Sequence, residues 1–395
     1  MLDYPPRYVK ICLVNYSFKF TEDGCMKVLI FSMTVGEGHN MIAKSIAQAF
    51  QVKNVETKIV QTFGFNEKEV QRQNKLFLWT CKHIPHIYNY VWNKLRFKDN
   101  STNKLPGYCK KCLPYFKKEI SNYNPDIIVC THFYASSVIS FMKKHGMLNQ
   151  NVLTSTILFD YCLSPYWEHS TNVDFIFQPH TNTTDALLKK GYKESQIKTF
   201  GMPARKAFFE KYDKSLIRKQ LNLKNIFTVM FIGGGNSLGN TLSLLKSVLQ
   251  KNNDVQIVVI NGKNVKNYKK IECYIKKHNL KNIVNLGFVE FVDLYMKASD
   301  VLISRCGGCG LGEIFALKKP FIVREKLIIN EKINKQYFIK NGCCLGLNKI
   351  TEAGEKVKFL KNNPTKLKAM AENIKTFSYP NPAEKITEFL LSQKK

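Results

Sequence analysis

Short apolar runs, separated by glycine turns and amphipathic helical stretches, recur along this chain and constrain its fold more than any other feature. The runs at 28–32, 127–130, 153–159 and 175–177 have strand length and carry no charged residue. After residue 225 the rhythm restarts, with runs at 227–232, 255–260, 283–286, 301–304 and 321–323. Strands covered on both faces belong to parallel sheets flanked by helices. Two such series predict two doubly wound α/β domains, joined by the polar stretch 204–224. With 395 residues, 44% of them hydrophobic, the chain has enough material for two cores.

In open parallel sheets, ligands gather at the carboxyl ends of the strands. That rule selects the turns at 34–40, 131–134, 160–167, 233–240 and 306–313, which are expected to converge on one cleft. The first turn holds Gly36 and Gly38, where the backbone turns tightly beside a helix start that favours anions. His39 follows, an imidazole able to accept a proton near neutral pH. In the second half, Gly233, Gly234 and Gly235, with Ser237 behind them, leave room for a phosphate or sugar against the main chain. The dinucleotide Gly-x-Gly-x-x-Gly pattern and its distant ribose-binding acid are missing there, so no NAD site is expected. The pair Gly307-Gly308 opens a short helix whose amides and dipole suit a diphosphate. Glu313, one turn further, can accept bonds from ribose hydroxyls. Asn330 and Glu331 set an amide beside an acid, a pair suited to sugar hydroxyls.

Charge and cysteines bound the setting. A formal net charge of +30 calls for a polyanionic partner, or reflects a Lys-rich surface without one. The segment 75–98 interleaves Phe77, Trp79, Tyr88, Tyr90 and Trp92 with Lys75, Lys82, Lys94, Arg96 and Lys98. Such a mixture fits a bilayer interface, a helix packed on its own sheet, or stacked nucleic-acid bases. The interface is the favoured reading, with Trp79, Trp92, Lys82, Lys94 and Arg96 as its contacts and no nucleic acid expected. No apolar run is long enough to span a membrane, and residues 1–25 hold no secretory signal. The cysteines lie scattered in apolar stretches, as in a reducing cytoplasm. The pairs Cys109/Cys112 and Cys306/Cys309 have zinc spacing without a flanking His, so they are read as ordinary thiols.

From about residue 26 to the C-terminus the chain resembles the monogalactosyldiacylglycerol synthase and processive diacylglycerol glucosyltransferase family. It also resembles that family's cell-wall relative, which adds N-acetylglucosamine to a lipid-linked precursor. The likeness rests on an ordered series of motifs: the turn ending at His39, Pro125-Asp126 before a strand leading to His132, and Asp160 ahead of Pro165 and Trp167. Gly201-Met202-Pro203, the triple-glycine turn, Gly287-Phe288-Val289 and the Gly307-Gly308 turn with Glu313 complete it. The resemblance implies a GT-B fold of two Rossmann-like domains. Residues 26–205 would bind the acceptor at the membrane, 206–375 the nucleotide sugar, and 376–395 would form a tail helix; no role is assigned to 1–25.

By residue matching, the resemblance puts uracil at Phe288 and Val289, diphosphate at Gly307 and Gly308, ribose at Glu313 and hexose at Asn330 and Glu331. His39 is the first candidate for the base that activates the acceptor hydroxyl, and Asp160 the second. The implied reaction moves a hexose from UDP-glucose or UDP-galactose to diacylglycerol with inversion. It needs no cofactor and no metal, since no Asp-x-Asp pair occurs. The expected location is cytoplasmic, peripheral on the inner face of the cell membrane, against anionic phospholipid. Alternatives left open are another lipid-linked acceptor, a sugar epimerase of the same fold, or a nucleic-acid-binding protein that explains only the charge.

Overall fold

The computed structural model describes residues 26–35, 37–96, 107–233, 240–324 and 327–394. The first six-stranded sheet comprises β1 (Lys27–Ser32), β2 (Glu56–Gln61), β3 (Ile127–Cys130), β4 (Leu153–Ile157), β5 (Phe175–Gln178) and β6 (Ile197–Thr199), in the order β2-β1-β3-β4-β5-β6. The second comprises β7 (Thr228–Ile232), β8 (Gln256–Ile260), β9 (Ile283–Leu286), β10 (Val301–Ser304), β11 (Phe321–Val323) and β12 (Cys344–Gly346), in the order β12-β11-β10-β7-β8-β9. Neighbouring strands are parallel throughout. Both expected sheets are therefore present.

Helices α1 (Gly38–Gln51), α2 (Glu67–His83), α3 (Pro85–Arg96), α4 (Gly107–Lys110), α5 (Leu113–Tyr123), α6 (Phe133–Lys144) and α7 (Thr184–Lys189) accompany the first sheet. The second has α8 (Lys214–Gln220), α9 (Thr241–Lys251), α10 (Val265–Lys277), α11 (Val292–Ala298), α12 (Gly308–Ala316), α13 (Ile329–Lys340), α14 (Glu352–Asn362) and α15 (Pro364–Lys375). Each sheet buries both faces. Leu29 and Phe31 point into one layer, where Phe31 stacks on Phe116 at 4.0 Å, while Val28 and Ile30 face α1 residues in the other. Burying one such Phe contributes about 1.5–3 kcal/mol.

The two domains share a core. Tyr161 of the first domain inserts between Phe315 and Phe338 of the second, with ring centroids 5.4 and 5.2 Å away. Buried Arg218 ties α8 to the second sheet by donating to Asp300, Thr228 and the Ala298 carbonyl. The last helix, α16 (Pro382–Ser392), returns to the first domain. There Phe389 meets Phe175 at 4.8 Å, and Glu388 pairs with Lys53 at 3.2 Å. No helix among the described residues is long and apolar enough to cross a membrane.

Candidate active site

Strand order reverses direction between β1 and β3 in the first sheet, and between β7 and β10 in the second. Such switch points open crevices at the strand ends. His39 on α1 and His132, the N-cap of α6, rise from the first; Gly233 and Gly307 follow the two strands of the second.

His39 is buried, and its Nδ1 lies 2.5 Å from the Thr131 carbonyl. A carbonyl only accepts, so Nδ1 carries the proton and Nε2 keeps the lone pair. Burial pulls the imidazole down to about 4, against the opposing pull of the Thr131 carbonyl. The ring is therefore neutral near pH 7. It lies on Phe159 at 3.9 Å and edge-on to His132 at 4.7 Å. His132 accepts from the Tyr134 amide and is likewise held neutral, first by burial and then by His39.

Asp160 is gripped from the other domain. Its Oδ2 accepts from Asn330 at 2.7 Å, and its Oδ1 from Asn334 at 2.5 Å and from the Tyr161 amide at 2.8 Å. Burial raises its carboxyl to about 6 despite these donors. Oδ1 of Asn330 and of Asn334 are buried without a hydrogen-bond partner among the described residues. A buried acceptor left unpaired costs about 1–3 kcal/mol; Asn334 is fully enclosed and Asn330 partly exposed, so Asn330 is the one a ligand hydroxyl can approach. Glu331 sits beside them with both oxygens engaged by Arg305, at 2.8 and 2.7 Å. A bidentate pair of this kind is directional and strong.

The start of α12 lies directly against the first domain. A Cβ on Gly308 would sit 1.8 Å from the Phe159 carbonyl oxygen, so only glycine fits. Gly38 also approaches Phe159, a Cβ there meeting the ring at 2.6 Å. Glu313, one turn along α12, is pushed up to about 7 by burial, with Arg205 opposing and Asp293 adding to the rise. Phe288 stands 61% exposed after β9, while its neighbour Val289 packs on the core. Across the cleft mouth, Glu37 pairs with Lys263 at 2.7 Å.

A cavity of about 310 Å³ opens beside the histidines, between the α2–α3 hairpin and the ends of β1 and β3. Its walls are mainly apolar, Phe77 and Trp92 among them, and His132 stands on its lining. Tyr166, also on the wall, adopts a left-handed backbone with φ 79° and stacks on Phe133 at 5.5 Å. A non-glycine residue held there stores strain of about 1–3 kcal/mol, a common mark of functional sites. The same hairpin reaches the second domain. Asn89 of α3 accepts from the Ile329 amide at 2.8 Å, capping α13 in place of the apolar Ile328.

The structure therefore brings His39, His132, Asp160, Gly307, Gly308, Glu313, Asn330 and Glu331 to one cleft. Gly36, Gly234, Gly235 and Ser237 lie outside the described residues, as do the side chains of Lys82 and Arg96. One expectation is corrected. Trp92 is only 6% exposed and lines the cavity, because α3 turns that face inward; Trp79 is 51% exposed, and Lys94 is exposed. Cys109 and Cys112 are buried, and among the described residues no group of three or more His, Cys, Asp or Glu is arranged to hold a metal. Sequence reasoning missed Arg305, Asn334, Arg205 and Asn89. Only Asn334 had a local signal, four residues from Asn330 on one helix face.

Residues 39–204 match the family model for monogalactosyldiacylglycerol (MGDG) synthase, and residues 228–386 that for the glycosyltransferase family 28 C-terminal domain. A processive diacylglycerol beta-glucosyltransferase of Bacillus pumilus is 26% identical over 374 residues, covering 93% of this chain and 95% of that protein. MurG of Acinetobacter baumannii superimposes with a TM-score of 0.62 at 12% identity, covering 93% of this chain and 99% of the other. Anabaena Alr3699/HepE, solved with UDP-glucose, gives a TM-score of 0.55 at 15% identity over 93% and 100% of the two chains. Likeness at these identities establishes the two-domain GT-B fold.

Proposed function

This chain belongs to the monogalactosyldiacylglycerol synthase and processive diacylglycerol glucosyltransferase family, and from that premise we propose that it moves a hexose from a UDP-sugar to diacylglycerol. The observation that carries the acceptor reading is the apolar cavity with His132 on its lining, beside neutral His39. His39 Nε2 takes the proton of the acceptor hydroxyl as its oxygen attacks the anomeric carbon. The bond from that carbon to the β-phosphate oxygen breaks, UDP leaves, and an α-linked donor gives a β-glycoside. Helix amides at Gly307 and Gly308 would hold the departing diphosphate without a metal. Glu313 would take the ribose, and exposed Phe288 the uracil. The unpaired acceptor of Asn330 suits a hydroxyl of glucose or galactose.

The test is product analysis of the full chain with UDP-glucose, UDP-galactose and dioleoylglycerol in vesicles. A β-hexosyldiacylglycerol supports the reading. Release of free sugar alone, or transfer only to a lipid-linked cell-wall precursor, sinks it.

The hairpin would seat the protein on the inner face of the cell membrane. Trp79 and Tyr90 are exposed on it beside Lys75 and Lys94. Each base near an anionic surface contributes about 1 kcal/mol, screened within a Debye length. Vesicle binding should thus rise with anionic lipid content and weaken with salt. Trp79→Ala should lower vesicle binding and lipid glycosylation together while UDP binding stays unchanged. Equal binding to neutral and anionic vesicles would remove the membrane role.

A further inference from the structure

We propose that the cavity beside the histidines is a one-chain acceptor site, taking a single acyl chain of the lipid while the second chain stays in the bilayer. This rests on the acceptor reading above and adds how the lipid is held. The volume, about 310 Å³, lies at the small end of ligand pockets and below what two long acyl chains fill. Leu76 and Val91 are 54% and 46% exposed and also line the cavity, which places its mouth on the face of the hairpin that carries Trp79 and Tyr90. His132, buried on the cavity wall, touches the His39 ring.

An occupant must therefore be apolar along its length, enter from the membrane side and carry a polar head to the histidines. Hydroxyl and imidazole groups such as those of Ser164 and His132 also stand on the lining, but a sugar or peptide filling the space would leave hydrogen-bonding groups against Phe77, Val91 and Trp92. One fatty acyl ester on glycerol meets every condition. Its ester end leaves the neighbouring hydroxyl beside His39, and the other chain follows the hairpin surface back into the bilayer.

The experiment compares mono-oleoylglycerol with dioleoylglycerol, each in phosphatidylglycerol-containing vesicles, using the full chain and two variants at the mouth. Wild type should glycosylate both lipids with similar kcat/KM. Val91→Trp, which narrows the entrance from an exposed position, should lower kcat/KM for both lipids by about tenfold or more, the loss expected if as few as two methylenes are left in water. UDP affinity and vesicle binding should not change, which shows the variant to be folded and membrane-bound. Val91→Ala should cost far less than Val91→Trp, because it shortens one wall residue without closing the entrance. Transfer to dioleoylglycerol with none to mono-oleoylglycerol would overturn the one-chain site, as would full activity in Val91→Trp. Failure of wild type with both lipids would instead strike the acceptor reading itself.

Discussion

His39→Ala should lower turnover on the lipid acceptor by about 10²–10⁴-fold, the usual cost of removing a general base. UDP affinity should scarcely move, because His39 stands on the acceptor domain. The assignment rests on tautomer and charge together. The Thr131 carbonyl fixes the proton on Nδ1, and burial keeps the ring neutral down to about pH 4. Its Nε2 lone pair is thus available across the physiological range. Asp160 is the rival, with its carboxyl raised to about 6, but both its oxygens already accept from Asn330, Asn334 and the Tyr161 amide. On that geometry Asp160 fixes the side chains of Asn330, the residue assigned to the donor sugar, and of Asn334 behind it. Asp160→Asn should accordingly raise the KM for UDP-sugar more than it lowers kcat. If Asp160→Asn instead removes turnover and His39→Ala is mild, the two roles are exchanged.

Glu313→Gln should weaken UDP binding tenfold or more. A hydrogen bond to a charged group contributes about 1.5–3 kcal/mol, and the neutral amide forfeits that charge. Protons sharpen the test. In the free protein, burial holds this carboxyl at about 7. Ribose hydroxyls donate to the ionised form and lower it, so binding near neutral pH should release protons. Calorimetry in buffers of different ionisation enthalpy reads that release directly, and Glu313→Gln should abolish it. The same shift acts on stability with a definite sign. The native state holds this proton more tightly than the unfolded chain, so Glu313 favours folding at low pH and loses that contribution as pH rises from about 4.5 to 7. Unchanged UDP affinity in the variant would take Glu313 out of the nucleotide site.

Every strand expected from an apolar run is present, and the missed ones, β2, β6 and β12, all lie at sheet edges. An edge strand is half solvated, so Glu56–Gln61 mixes exposed and part-buried residues, with only Val60 buried, and shows no continuous apolar run. β4 ends at Ile157, two residues earlier than expected, because Phe159 and Asp160 turn out to meet the other domain. Site residues beside glycine turns were legible, since the turn marks where backbone and ligand approach. Arg305 was not, because its partner Glu331 lies 26 residues away, beyond an intervening strand. Trp92 was misread for a related reason. Aromatic residues at helical spacing serve a bilayer or a core equally well, and only the packing of α3 shows which face Trp92 takes.

The carbonyl of Phe159 packs on the side of Gly308 where a Cβ would stand, so the two domains touch at the first residue of α12, where the diphosphate is expected. If a diphosphate reaches the start of α12 only in the fraction of molecules where that contact has opened, the measured dissociation constant is the intrinsic one divided by that fraction. If one molecule in a hundred is so arranged, nucleotide binds about a hundredfold more weakly than its contacts alone allow, a tax of about 2.7 kcal/mol. Loosening the junction at Tyr161, which lies between Phe315 and Phe338, would then tighten nucleotide binding without adding a single contact to the nucleotide.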